Sequence, residues 1–238
     1  MAAEIKSRLI VALDVDELEK AKNLVKLLKD DVAAFKIGKQ LFTRCGPDAV
    51  KMVHDEGGRV FLDLKFHDIP TTVAKASLEV MRLGVFMFNM HASGGLDMMK
   101  KAVSAVKEKA LEKGEAKPII LAVTVLTSQG PEDLKLLGIN MEMEEMVVSL
   151  ACLAKEAGVD GVVASPKEIR AIRKTCGKDF FIVTPGIRPA SSSKDDQKRI
   201  MTPLEAVNAG ADYIVVGRPI TQAEDPLSAA QSINNELH

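Results

Sequence analysis

A chain of 238 residues with 47% hydrophobic and 27% charged side chains has enough apolar surface for a sizeable core, which sets intrinsic disorder aside. Its 32 Lys and Arg nearly balance 33 Asp and Glu, so no overall field draws it to nucleic acid or to an anionic membrane, although a local cluster can still hold one phosphate. Aromatic residues are 4% of the chain, with no Trp and one Tyr, a poor supply of stacking platforms for a single-strand nucleic-acid binder.

Cys45, Cys152 and Cys176 are dispersed, with no CxxC and no His pair nearby, so neither a zinc site nor a disulfide framework is expected. Free thiols fit a reducing cytosol. The opening MAAEIKSR lacks a long apolar segment, and no stretch approaches the ~18 consecutive apolar residues of a membrane span, so a cytoplasmic protein without membrane contact is expected.

In chain order, short apolar runs recur as RLIVALDV, AAFKIG, RVFLDLK, FMFNMHAS, PIILAVTVLT, GVVAS, FFIVTPGI and DYIVVGR. Between them lie segments with helical spacing, among them ELEKAKNLVKLLKD, PDAVKMVHDEGG, TTVAKASLEVMRLG and MEEMVVSLACLAKEAG, several ending near a Gly suited to a left-handed cap. Near-continuous apolar strands imply a parallel sheet covered by helices. About eight strand–helix units at this length predict an α/β fold, a closed (β/α)8 TIM barrel forming a single domain over 1–238, in preference to an open doubly wound sheet. No GxGxxG follows the first strand and no Walker A sequence occurs, which removes the usual signposts of NAD and ATP chemistry. The polar segment PASSSKDDQKR after the seventh run is either a solvated loop or, because barrel active-site loops gather at that face, a lid.

Three strands carry charge where a core face is expected. In RVFLDLKFHDIP, alternation puts Leu62 and Leu64 on one face and Asp63 and Lys65 on the other, with Asp68 just beyond the strand. Lys36 opposes Phe35 and Ile37 on the second strand, and Asp14 shares a face with Ile10 and Ala12 on the first. Charges are expensive to bury, so inward charges at neighbouring strand ends point to a shared active site. After the seventh and eighth strands, TPGIRP and VGRPI bring Gly186, Arg188, Gly217 and Arg218 to loops that in barrels frequently hold phosphate, with glycine allowing close backbone approach and arginine offering forked hydrogen bonds. His67 and His91 near strand ends have no evident chemical role and read as structural.

These residues resemble the bacterial-type orotidine 5'-monophosphate decarboxylase family, through IVALDV, FKIG, FLDLKFHDIPTTV, MHASGG, AVTVLTS, VTPGIRP with DDQKRIMTP, and AGADYIVVGRPIT, across nearly the whole chain. Thr71 stands where the family usually has Asn. The resemblance implies conversion of orotidine 5'-monophosphate to uridine 5'-monophosphate and CO2 in pyrimidine biosynthesis, without metal or organic cofactor. Lys65 is then the proton donor to C6 within an array of Lys36, Asp63, Lys65 and Asp68. Asp14 and Lys36 contact the ribose, Thr127 and Ser128 lie beside ribose and base, and Arg188, Gly217 and Arg218 hold the phosphate. Gln197 bridges a phosphate-closing loop at about 188–201 to that phosphate. Ile69 joins the substrate contacts, and a homodimer supplies Asp68 and Thr72 across its interface. Two other readings are a sugar-phosphate enzyme such as 3-hexulose-6-phosphate synthase, which shares the Asp-x-Lys-x-x-Asp pattern but uses Mg2+, and a non-catalytic nucleotide-binding regulator.

Overall fold

The computed structural model describes residues 7–188 and 201–237. Each of the eight apolar runs contributes one strand: β1 Leu9–Ala12, β2 Ala34–Gly38, β3 Val60–Phe66, β4 Met87–His91, β5 Ile119–Val123, β6 Gly161–Val163, β7 Phe181–Thr184 and β8 Tyr213–Val216. Neighbours pair in parallel, and β8 pairs back onto β1 through Leu9 opposite Ile214, closing the ring. The helices of the first half are α1 Leu18–Leu28, α2 Lys39–Cys45, α3 Pro47–Asp55, α4 Pro70–Arg82 and α5 Leu96–Lys113. Those of the second half are α6 Pro131–Leu136, α7 Met143–Glu156, α8 Ile169–Cys176, α9 Pro203–Ala209, α10 Arg218–Thr221 and α11 Pro226–Glu236. Among the described residues no helix is long and apolar enough to cross a membrane.

Strand alternation sorts the apolar residues into two cores. Ile10, Ala12, Phe61, Met87, Leu121, Val123, Val163, Val183, Tyr213 and Val215 fill the barrel, while Leu9, Val11, Phe35, Ile37, Leu62, Ile120, Ala122 and Ile214 face the helix layer. Because both faces are buried, the strands read as continuous apolar runs. Gly161 lets β6 and β7 close up: a Cβ there would stand 2.3 Å from the Phe181 carbonyl oxygen. Below the strands, Arg173 donates to the carbonyls of Gly177, Lys178, Phe180 and Gly210 and to the Asp212 carboxylate, tying two turns into one rigid floor. The opposite end, where the strands finish, carries the charged residues.

Candidate active site

Asp14, Lys36 and Asp63 meet because three adjacent strands end side by side. The Leu13 N–H donates to the Lys36 carbonyl at 2.9 Å, extending the β1–β2 ladder so that Asp14 follows Ile10 and Ala12 onto the inner face. Lys36 Nζ then lies 3.0 Å from Asp14 Oδ1 and 3.4 Å from Asp63 Oδ2. Gly38 at the end of β2 keeps this space open, since a Cβ there would stand 3.1 Å from both Asp14 Oδ1 and Lys36 Nζ. Asp63 is 8% exposed. Burial pushes its carboxyl upward, but the charges of Lys36 and Lys65 and hydrogen bonds from Lys65 and Asn89 together outweigh that cost and hold it below the usual carboxylate range. A carboxylate so fixed is a permanent negative charge in the wall of the site.

Lys65 reaches the same place by a route that alternation does not describe. Its φ is 55°, making it the one non-glycine residue with positive φ among those described. The β3–β4 register shifts between Leu62 and Phe66, so the strand bulges where simple period two was expected. Leu62 and Leu64 do face the helix layer. The bulge turns Lys65 so that its Nζ lies 2.6 Å from Asp63 Oδ1, while its backbone N–H donates to Asn89 Oδ1 at 2.8 Å. Asn89, 1% exposed on β4, also donates through Nδ2 to Asp63 Oδ1 at 2.6 Å. Sequence reading missed it, although a lone polar residue inside FMFNMHAS is the same signal that marked Lys36.

Asp14, Lys36, Asp63 and Lys65 border a cavity of about 590 Å³ at the strand ends, lined also by Gln40, Thr127, Ser128, Gly186, Arg188, Gly217, Arg218 and Gln222. The volume suits a nucleotide-sized ligand. β3 and β7 lie across the closed ring from each other, so Lys65 and Asp63 face the two arginines over the cavity. Gly186 has φ 80°, a conformation glycine adopts freely, whereas Gly217 has φ −113°, and a Cβ there would meet the Ala12 Cβ at an ordinary 3.5 Å. Arg188 is 8% exposed, and its N–H donates to the Met201 carbonyl at 3.1 Å beside an Ile187–Met201 bridge, so both ends of the segment 188–201 are joined at the cavity rim. Gln197 lies outside the described residues. Asp68, Ile69 and Thr72 are exposed and do not line the cavity; Asp68 Oδ1 accepts the Ile69 N–H at 2.6 Å, and Ile69 is 66% exposed.

His91 closes β4, with its ring centroid 5.5 Å from that of His67. Burial, then the charges of His67, Lys65 and Lys39, push it down to about 4 against the opposing pull of Asp63, leaving a neutral imidazole at pH 7. Both histidines border a smaller cleft of about 210 Å³ with Leu134 and Leu137, which shares Leu126 with the main cavity.

The family model described as "Orotidine 5'-phosphate decarboxylase / HUMPS family" matches residues 7–233. Among curated proteins, the orotidine 5'-phosphate decarboxylase of Syntrophotalea carbinolica is 56% identical over 237 residues, covering 100% of this chain and 97% of that protein. That of Pelobacter propionicus is 57% identical, covering 98% and 96%. The crystal structure of orotidine 5'-phosphate decarboxylase from Lactobacillus acidophilus superposes with a TM-score of 0.85 at 40% identity, covering 98% of this chain and 99% of that one. By the matched length and by these identities, the chain belongs to the orotidine 5'-phosphate decarboxylase / HUMPS family.

Proposed function

We propose that this chain decarboxylates orotidine 5'-monophosphate to uridine 5'-monophosphate and CO2, a step of pyrimidine biosynthesis, in the cytoplasm and without metal or organic cofactor. The observation that carries the reading is the chain of charges Asp14–Lys36–Asp63–Lys65, whose Asp63 and Lys65 stand on the wall of a nucleotide-sized cavity across from Arg188 and Arg218. One wall suits the reacting ring and ribose, and the other suits the phosphate.

In this reaction the bond from C6 to the carboxylate breaks, CO2 leaves, and the electron pair stays on C6 in an orbital within the ring plane, where the π system cannot absorb it. An adjacent cation must stabilise it. Lys65 supplies that charge and then gives a proton from Nζ to C6, regaining one from solvent. Asp63 holds the ammonium at 2.6 Å, and Lys36 supports Asp63 while reaching the ribose beside Asp14. Thr127 and Ser128 border the ribose and base. Arg188, Gly217 and Arg218 bind the phosphate, and the segment 188–201, anchored at both ends, closes over it with Gln197. Remote phosphate binding then stabilises the closed, water-excluded complex.

The active unit is a homodimer in which Asp68 and Thr72 complete the partner's site. Their exposure outside their own cavity supports this, as do the exposed Leu136 at the end of α6 and Leu137 just after it, the latter on the cleft that His67 also borders. The test is a spectrophotometric assay with orotidine 5'-monophosphate in excess chelator. Unchanged turnover is expected; turnover that vanishes and returns with Mg2+ favours the sugar-phosphate chemistry, and no turnover under either condition favours a binding protein.

A further inference from the structure

Asn89 is 1% exposed in β4 and does not line the cavity, so a direct role with substrate is absent from its geometry. A carboxamide in a barrel interior is costly unless its polar atoms are used. Both are used on one neighbouring strand: Oδ1 accepts the Lys65 N–H at 2.8 Å and Nδ2 donates to Asp63 Oδ1 at 2.6 Å. The chemistry of the partners fixes the amide orientation, because an N–H demands an acceptor and a carboxylate demands a donor. Lys65 Nζ meets the same Asp63 oxygen at 2.6 Å, so backbone, amide, carboxylate and ammonium form a closed ring of contacts. Within that ring sits Lys65 at φ 55°, a conformation disfavoured for any residue with a Cβ and stable only where its surroundings over-determine it.

We propose that Asn89 is the positioning residue of the reaction. It pins the left-handed backbone of Lys65 at the β3 bulge and holds Asp63 Oδ1, thereby setting where the Lys65 ammonium stands relative to the reacting carbon. This rests on the reading of Lys65 as proton donor. Strand alternation alone gives residue 65 the inner face and no more; the amide on the next strand converts the bulge into a defined aim.

Two variants of the full-length protein test it, each measured for kcat, KM, affinity for uridine 5'-monophosphate and thermal unfolding. Asn89→Ala is expected to lower kcat roughly 10–100-fold, the scale of a small misplacement of a reacting group, with KM and nucleotide affinity changed less than about threefold. Asn89→Asp keeps an acceptor for the Lys65 N–H but sets a carboxylate against Asp63. The charged groups around that position are Lys36 from β2 and Asp63 and Lys65 from β3, with the His91–His67 pair further along. Burial and Asp63 raise the introduced carboxyl, and once protonated it again donates to Asp63. The kcat ratio of Asn89→Asp to the native enzyme should therefore climb as pH falls from 8 to 6.

A kcat for Asn89→Ala within about twofold of native overturns the proposal, as do parallel losses of kcat and nucleotide affinity, which mark a merely structural residue. If Asn89→Ala does not fold, the Asn89→Asp ratio decides alone, and a ratio flat with pH overturns it. Native turnover in Lys65→Ala identifies failure of the proton-donor reading separately.

Discussion

Replacing Lys65 by Ala removes an ammonium that stands 2.6 Å from Asp63 Oδ1 at the cavity wall. At an effective dielectric of about 20, a unit charge about 3.5 Å from a carbon gaining a full negative charge is worth about 5 kcal/mol. That converts to between three and four powers of ten in kcat, on the scale of about 1.4 kcal/mol per tenfold. C6 carries no such charge before the bond breaks, so nucleotide affinity should change far less than turnover. Folding should survive, because Asp63 retains Lys36 at 3.4 Å and Asn89 at 2.6 Å. The backbone adds a control: with φ 55° at this position, Ala carries a left-handed strain of about 1 kcal/mol that Gly does not. Lys65→Gly should therefore be the more stable of the two variants in urea unfolding, reversing the usual order within a strand, and equally inactive in the decarboxylation assay. A Lys65→Ala enzyme with turnover within tenfold of native refutes the charge argument, and a less stable Lys65→Gly refutes the strain argument.

His91 gives a pH signature of stability. Its folded value of about 4 lies below the ordinary 6.5, so the unfolded chain binds the proton more readily in that window; the stability is fully present above pH 6.5 and lost as pH falls toward 4. For a half-buried ring, screening reduces the effect to about 1–2 kcal/mol, and His91→Gln should flatten the fall in Tm between pH 7 and 5; an unchanged slope sinks the idea. Gly161→Ala would force a Cβ to 2.3 Å from the Phe181 carbonyl oxygen and should cost about 3 kcal/mol in urea unfolding, whereas a loss under about 0.5 kcal/mol would show that β6 and β7 can part freely.

The barrel was legible because its strands are buried on both faces: Leu9, Val11, Phe35 and Ile37 face helices while Ile10, Ala12 and Phe61 fill the interior, and charged residues enter the first three strands only from their middles onward. There the same rule exposed Asp14, Lys36 and Asp63 as charges on inner faces, and the structure brings all three together. Lys65 was assigned to the correct side for an incomplete reason, since its aim depends on a bulge and a positive φ that no residue type at 65 announces. Asn89 carried a readable signal, but an uncharged amide inside a strand attracts less notice than a buried lysine. For Asp68, Ile69 and Thr72 the limit is physical: they face outward from one chain, and only the likeness to a family offered them a role.

That role makes the most demanding prediction. If each site is built from two chains, Lys65→Ala and Asp68→Ala homodimers are both crippled, the first because every site lacks its proton donor and the second because every site lacks the partner's carboxylate. Co-refolding equal amounts produces heterodimers in which one site joins the intact Lys65 of one chain to the intact Asp68 of the other, while the second site carries both lesions. Random pairing makes about half of the dimers mixed and about a quarter of all sites native, so activity should return to about a quarter of the wild-type level. Differential tags on the two chains count the mixed dimers directly. Should those dimers form with no activity above the two parents, Asp68 serves its own barrel. Its exposed place beyond β3, with its carboxylate on the Ile69 N–H at 2.6 Å, would then be a turn at the head of α4 and nothing more.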